Sequence, residues 1–305
     1  MILVVLLYAI LASTFIFAKN TLAYCQPFFL IGFRMLLAGS ILLAYQFITN
    51  KKALHIKSDD VFTFFKVSLF HIYFAFILEF WSLQYLTALK TTLIYSATPF
   101  IAALLAYFLL KERLSPKKVL GIVIGLGGLS PILLAQTSSE AAMGSVFSIS
   151  MPEIVLFLAV ISASYAWFIV SDLMKKGYDL ATINGFAMIV GGMLSFITSW
   201  FFEGFCCPVT QWTPFLGWLT LLIISANFIV YNFYGWLLKR YSITFITFAG
   251  FLCPSFGTFY EWLFLGGSVT WHYFLSLGLV TLGLYVFHCD ELKRKNIIPQ
   301  GPEAA

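Results

Sequence analysis

Apolar residues in this chain fall in runs of about twenty, the length at which an α-helix crosses a hydrocarbon core. Ten runs are predicted to span: 1–18, 27–48, 63–86, 91–110, 117–135, 152–174, 181–202, 212–238, 243–265 and 270–289. The polar breaks between them are short, apart from Gln136 to Met151, so consecutive spans are expected to be neighbours. The pattern predicts an all-α membrane protein of ten transmembrane helices.

Composition excludes the alternative of a water-soluble globule. Of 305 residues 61% are hydrophobic, 19% aromatic and 10% charged, with a mean hydropathy of +0.92, whereas a soluble domain carries about 25% charged residues. The net charge of +5 does not point to nucleic acid, because the bases sit singly or in pairs between apolar runs. That distribution marks topology, and the lipid bilayer is the expected surrounding. The first run, from Met1, has no basic flank ahead of it and more spans follow directly, so it is expected to be retained rather than cleaved. Five cysteines form no CxxC pair, and neither a metal site nor a cofactor is implied; a disulfide among Cys25, Cys206 and Cys207 is left open.

Charge also orients the chain. With both termini in the cytoplasm, the inner segments hold 14 of the 18 lysines and arginines and the outer segments only Lys19 and Lys90. The opposite orientation inverts the positive-inside rule. The long break after the fifth run divides the chain into five-helix units, 1–135 and 152–289, with 290–305 as a cytoplasmic tail. Sliding the chain by 155 residues lays Trp81 on Trp236, Leu83 on Leu238, Thr92 on Thr247, Pro99 on Pro254 and Gly128-Leu129 on Gly283-Leu284. An odd number of spans per unit inverts the second copy, the plan of many secondary transporters, which bind their solute between the repeats.

Several stretches then resemble the drug/metabolite transporter superfamily, in its EamA-type branch. Phe15-Ile-Phe-Ala-Lys19 and Phe29-Leu-Ile-Gly-Phe-Arg-Met-Leu-Leu37 are similar to the family's opening helices. Leu83-Gln-Tyr-Leu-Thr-Ala88 is similar to its third-helix exit. Pro99, Leu109-Leu-Lys-Glu112-Arg-Leu-Ser115 and Gly121 match its fourth-helix proline, its Glu-containing turn and its fifth-helix glycine. In the second unit Pro254, Gly266-Gly267 and Leu282-Gly283 occupy corresponding places, with Gly267 where the family often repeats the glutamate. The resemblance implies a ten-helix basket whose helices one to four and six to nine line a cavity, with five and ten outside it or at a dimer contact. It also implies transport of metabolites or drugs in the bacterial inner membrane.

Candidate solute contacts are the polar residues inside spans. Arg34 and Glu79 lie roughly 12 Å below the outer hydrocarbon surface, at 1.5 Å of rise per residue. A lone charge there is costly, so the two form either a structural ion pair or a substrate contact. Thr91, Tyr95 and Thr98 make a polar stripe on the fourth span, and Asn227, Tyr231 and Tyr234 make one at the same spacing on the eighth. Tyr165 and Trp167 on the sixth offer aromatic surface. His71 is expected to be a hydrogen-bonded helix residue, Glu261 to reach water from the outer end of the ninth span, and Phe62 and Phe196 to face lipid. Gly121 and Gly125 form a GxxxG motif that serves packing within the chain or a homodimer face.

An intramembrane enzyme needs a nucleophile with its base, or ligands such as HExxH, and the chain has neither GxSxG nor HExxH. The best reading is a secondary transporter working by alternating access on a small metabolite, an amino acid or nucleoside-like zwitterion. An exporter of drugs or amino acids is the alternative.

Overall fold

The computed structural model describes residues 2–135, 137, 140, 142–146, 149–204, 209–238, 249–266 and 269–297, with side chains except at 146, 231, 232, 235, 238, 251 and 289–297. The helices are α1 (Ile2–Leu22), α2 (Pro27–Thr49), α3 (Ser58–Tyr85), α4 (Ala88–Leu110), α5 (Pro116–Leu134), α6 (Met151–Lys175), α7 (Leu180–Phe202), α8 (Trp212–Val230, continued by Tyr231–Leu238), α9 (Leu252–Leu265) and α10 (Trp271–Ile297). The first eight are long and apolar enough to cross a membrane. Residues 243–248, the start of the predicted ninth span, lie outside the described residues. The outer break adds a short antiparallel ladder, Ser145–Val146 with Ile149–Ser150, to an otherwise helical chain.

Local chemistry sets the helix starts. Proline stands in the first turn of α2, α5 and α6, where its missing N–H costs nothing. Side chains of Thr87, Ser115 and Asp179 accept from Lys90 N, Lys118 N and Ala181 N at the starts of α4, α5 and α7. Two helices depart from a regular α-helix at equivalent places. A π-helical run begins at Ser68 in α3 and another at Ile223 in α8, 155 residues later, the offset at which the sequence aligns with itself. Such runs replace the i→i+4 bonds of the α-helix by i→i+5 bonds and cluster at functional positions. α4 is also interrupted, at Ser96 and Ala97, just before Pro99.

Helix α2 packs against α7, α5 against α10, and α4 against α9. α1 packs on α8 and α9, while α6 packs on α3 and α4. Replacing each helix by the one five places along leaves this set of pairings unchanged.

Small residues allow the closest approaches. A Cβ on Gly121 would lie 2.6 Å from Phe287 N, and one on Gly283 would lie 2.5 Å from Gly125 Cα. The GxxxG motif is therefore filled by α10 of the same chain. At the α2–α7 contact a Cβ on Gly32 would meet the Phe196 ring at 2.9 Å, and Phe196 also packs edge-on to Phe29 at 5.5 Å. Phe196 thus belongs to a helix interface, contrary to the expectation that it faces lipid. Phe62 is exposed, as expected. Cys25 and Cys253 are buried free thiols, and Cys206 and Cys207 lie outside the described residues.

Candidate functional site

Charged side chains near the ends of several helices serve backbone ends and one another. Hydrocarbon supplies no hydrogen bonds to the orphan groups of a helix terminus, so side chains must. Lys19 at the end of α1 donates to the carbonyls of Leu83, Gln84 and Leu86, at 2.7, 3.4 and 2.5 Å, closing the C-terminus of α3. Glu203 accepts from Phe28 N and Phe29 N at 2.7 and 2.9 Å at the start of α2. Glu261 is buried and accepts from Ala88 N at 3.0 Å at the start of α4, so it caps a helix rather than reaching water. Lys90 is buried with Glu140 and Glu153, at 2.5 and 2.7 Å, and donates its third hydrogen to the Ala135 carbonyl. Lys19 and Lys90 are thus both consumed internally.

The deeper cluster draws on α1, α2, α3, α4 and α8. Arg34, 3% exposed, donates from Nε and Nη2 to Asn227 Oδ1, at 3.1 and 3.0 Å. Its guanidinium lies over the rings of Phe76 and Phe80, 5.2 and 5.7 Å from their centroids. Cation–π contacts of this kind are worth about 2 kcal/mol each when desolvated. Glu79, on the same face of α3, is buried and accepts from Tyr95 Oη at 2.7 Å. Arg34 also acts coulombically on Glu79. Tyr95 packs against Phe15 of α1, 5.6 Å between centroids. Asn227 sits inside the π-helical run of α8, its amide nitrogen 3.9 Å from Met188 Sδ.

Arg34, Glu79, Tyr95 and Asn227 are therefore brought together, with Arg34 hydrogen-bonded to Asn227 and Glu79 to Tyr95, each on another helix. Thr91 and Thr98 return their hydroxyls to α4 itself, to the carbonyls of Thr87 and Tyr95 at 2.9 and 2.6 Å. Tyr234 is half-buried against the cluster that contains Leu7 and Tyr8, and the side chain of Tyr231 lies outside the description. Tyr165 packs edge-on to Phe70 at 5.0 Å and lines a lateral cleft of about 300 Å³ with Phe74, Leu105 and Ile161. Trp167 is exposed and packs edge-on to His71 at 5.1 Å. His71 is buried with both ring nitrogens lacking a hydrogen bond, which corrects the expectation of a bonded helix residue. Phe15, Phe76 and Phe80 escaped the sequence reading. Phe76 and Phe80 stand at i−3 and i+1 from Glu79, but among 34 phenylalanines that spacing distinguishes nothing.

A multi-pass helical chain that buries Arg34 and Glu79 among its spans is, by the family it matches, an integral membrane transporter for a small metabolite. The chain belongs to the EamA-like transporter family, whose sequence profile matches residues 1–134 and 140–288. It is similar to the S-adenosylmethionine/S-adenosylhomocysteine transporter of Chlamydia trachomatis serovar L2, 29% identical over 290 residues, 94% of this chain and 88% of that protein. The protein of the same name from Chlamydia muridarum is also 29% identical, over 94% of this chain and 91% of its own. The uncharacterized transporter YoaV of Bacillus subtilis is 24% identical over 85% of this chain and 86% of its own. A solved crystal structure 19% identical in sequence superimposes with a TM-score of 0.61, covering 97% of this chain and 96% of the other, a likeness of fold alone. The family and these named relatives are transporters rather than enzymes.

Proposed function

We propose that this protein carries an S-adenosyl amino acid, of the S-adenosylmethionine class, across the bacterial inner membrane by alternating access. Two inverted five-helix repeats, 1–135 and 152–289, form the carrier; the termini and the tail 290–305 lie in the cytoplasm. The observation that carries this reading is the buried Arg34/Glu79 cluster. Each charge is held by a neutral side chain, Asn227 or Tyr95, and a charged solute group bonds it more strongly. A solute bearing an α-carboxylate and an α-ammonium finds one partner of each sign there. The rings of Phe15 and Tyr95 offer surface to a sulfonium or a purine.

The repeats are supported by the pairings that survive a five-helix shift and by the π-helical runs 155 residues apart. The substrate class is supported by the name of the Chlamydia relatives. Purified protein should gain thermal stability with S-adenosylmethionine and S-adenosylhomocysteine, and less with methionine or adenosine alone, since a ligand of the native state raises its melting temperature. Equal shifts with all four compounds would remove the S-adenosyl assignment.

A further inference from the structure

Asn227 has a bonding pattern that the transport cycle can use. Its carbonyl oxygen takes two donors of Arg34, while its amide nitrogen meets Met188 Sδ at 3.9 Å, a weak acceptor at a long distance. It lies in the π-helical run of α8, a segment whose backbone bonds i→i+5 in place of the i→i+4 of the α-helix on either side. Arg34 is held differently. Its guanidinium rests on Phe76 and Phe80, both on α3, the helix that follows its own. Of the two partners, Arg34 is the one fixed from its own side and Asn227 the one fixed by Arg34.

We propose that Asn227 is a placeholder for the carboxylate of the solute: the incoming carboxylate takes Arg34 from the Asn227 amide and so releases the bond that joins α2 to α8. This rests on the reading above that a carboxylate-bearing solute binds at Arg34. The Nε and Nη2 hydrogens of a guanidinium form a fork that fits the two oxygens of a carboxylate, whereas the amide offers one oxygen to both. The Arg34–Asn227 bond is already assisted by one charge, but a carboxylate adds the attraction of opposite charges in a low-dielectric site and a second acceptor oxygen for the fork, so the carboxylate displaces the amide. Once displaced, α8 is free of α2 at this point. When the solute leaves, the amide returns to the Nε and Nη2 donors of Arg34. Asn227 is on this view a positioning residue that acts through Arg34.

The test compares binding to the purified full-length protein with exchange in proteoliposomes. The probes are S-adenosylhomocysteine, L-methionine and the corresponding amines without the carboxylate. Asn227→Leu removes the competitor, so both carboxylate probes should bind about three- to tenfold more tightly while the amines are unchanged, and exchange should slow because the bond cannot re-form. Asn227→Asp supplies a permanent carboxylate and should weaken the carboxylate probes at least about tenfold. Weaker carboxylate binding in Asn227→Leu, or equal changes for acids and amines, would overturn the placeholder role and make Asn227 a direct contact. If Asn227→Leu proves unfolded on purification, Asn227→Asp decides alone, with unaltered binding as the contrary result. Methionine behaving as described while S-adenosylhomocysteine fails to bind would remove the adenosyl assignment and leave the placeholder standing. Failure of both carboxylate probes to bind the unmodified protein would overturn it.

Discussion

Asn227 Oδ1 lies 3.1 Å from Nε and 3.0 Å from Nη2 of Arg34, a residue 193 positions earlier in the chain. A hydrogen bond to a charged group is worth about 1.5–3 kcal/mol, and at 3% exposure Arg34 has no water to fall back on. The two substitutions Arg34→Met and Asn227→Leu should therefore be coupled. The double variant is expected to be more stable than the sum of the single losses by about 1.5–3 kcal/mol. Additive losses in a melting or denaturant series would show that the bond contributes nothing.

Lys90 should be the most sensitive lysine in the protein. Its ammonium is enclosed with Glu140 and Glu153, and removing one partner of a buried ionic group typically costs about 3–5 kcal/mol. Lys90→Met should lower stability by that order, and adding Glu140→Gln and Glu153→Gln should recover much of it. Exposed Lys52 offers the control, with an expected change within about 0.5 kcal/mol. Similar melting temperatures for Lys90→Met and Lys52→Ala would contradict the buried cluster.

Packing between α2 and α7 gives a third expectation. The Phe196 ring covers Gly32, so Phe196→Leu should destabilise by about 1–2 kcal/mol and Gly32→Leu by more. Phe62→Leu, at an exposed site, should be neutral. Detergent melting curves rank the three variants, and equal effects at 62 and 196 would place Phe196 outside the interface.

How far the sequence reveals these features depends on the scale. Run lengths alone locate the first eight helices to within about five residues, because the thickness of hydrocarbon is a strong constraint on length. The depth of Arg34 and Glu79 is equally legible, and it singles out two residues of the central cluster. Their hydrogen-bond partners are not legible, because spacing does not encode how a helix is rotated about its own axis. The π-helical runs of α3 and α8 and the break at Ser96 and Ala97 each shift the phase of the residues beyond them, so Thr98 does not continue the face that Tyr95 begins. Glu261, Lys19 and Lys90 lie near an end of their helices, where water is the obvious partner. They turn inward because unpaired backbone groups at the neighbouring helix ends need them more. That use also accounts for Lys19 and Lys90, the two bases that the charge bias leaves on the minority side.

Orientation has a direct check. Single cysteines placed at Lys52, Lys118 and Lys176 should be shielded from impermeant thiol reagents in intact cells, and one at Gly204 should label. Labelling in the reverse pattern would invert the proposed topology.

The central claim is that a zwitterionic S-adenosyl compound crosses the membrane at the Arg34/Glu79 cluster. Counterflow of labelled S-adenosylmethionine in proteoliposomes preloaded with S-adenosylhomocysteine tests it most directly, in the unmodified protein and in Tyr95→Phe. Tyr95→Phe deletes only the hydroxyl that donates to Glu79. Saturable counterflow in the unmodified protein, with at least about a tenfold loss of kcat/KM in Tyr95→Phe at equal amounts of folded protein, is the expected result. Absence of counterflow, or full activity in Tyr95→Phe with unaltered KM, would contradict it.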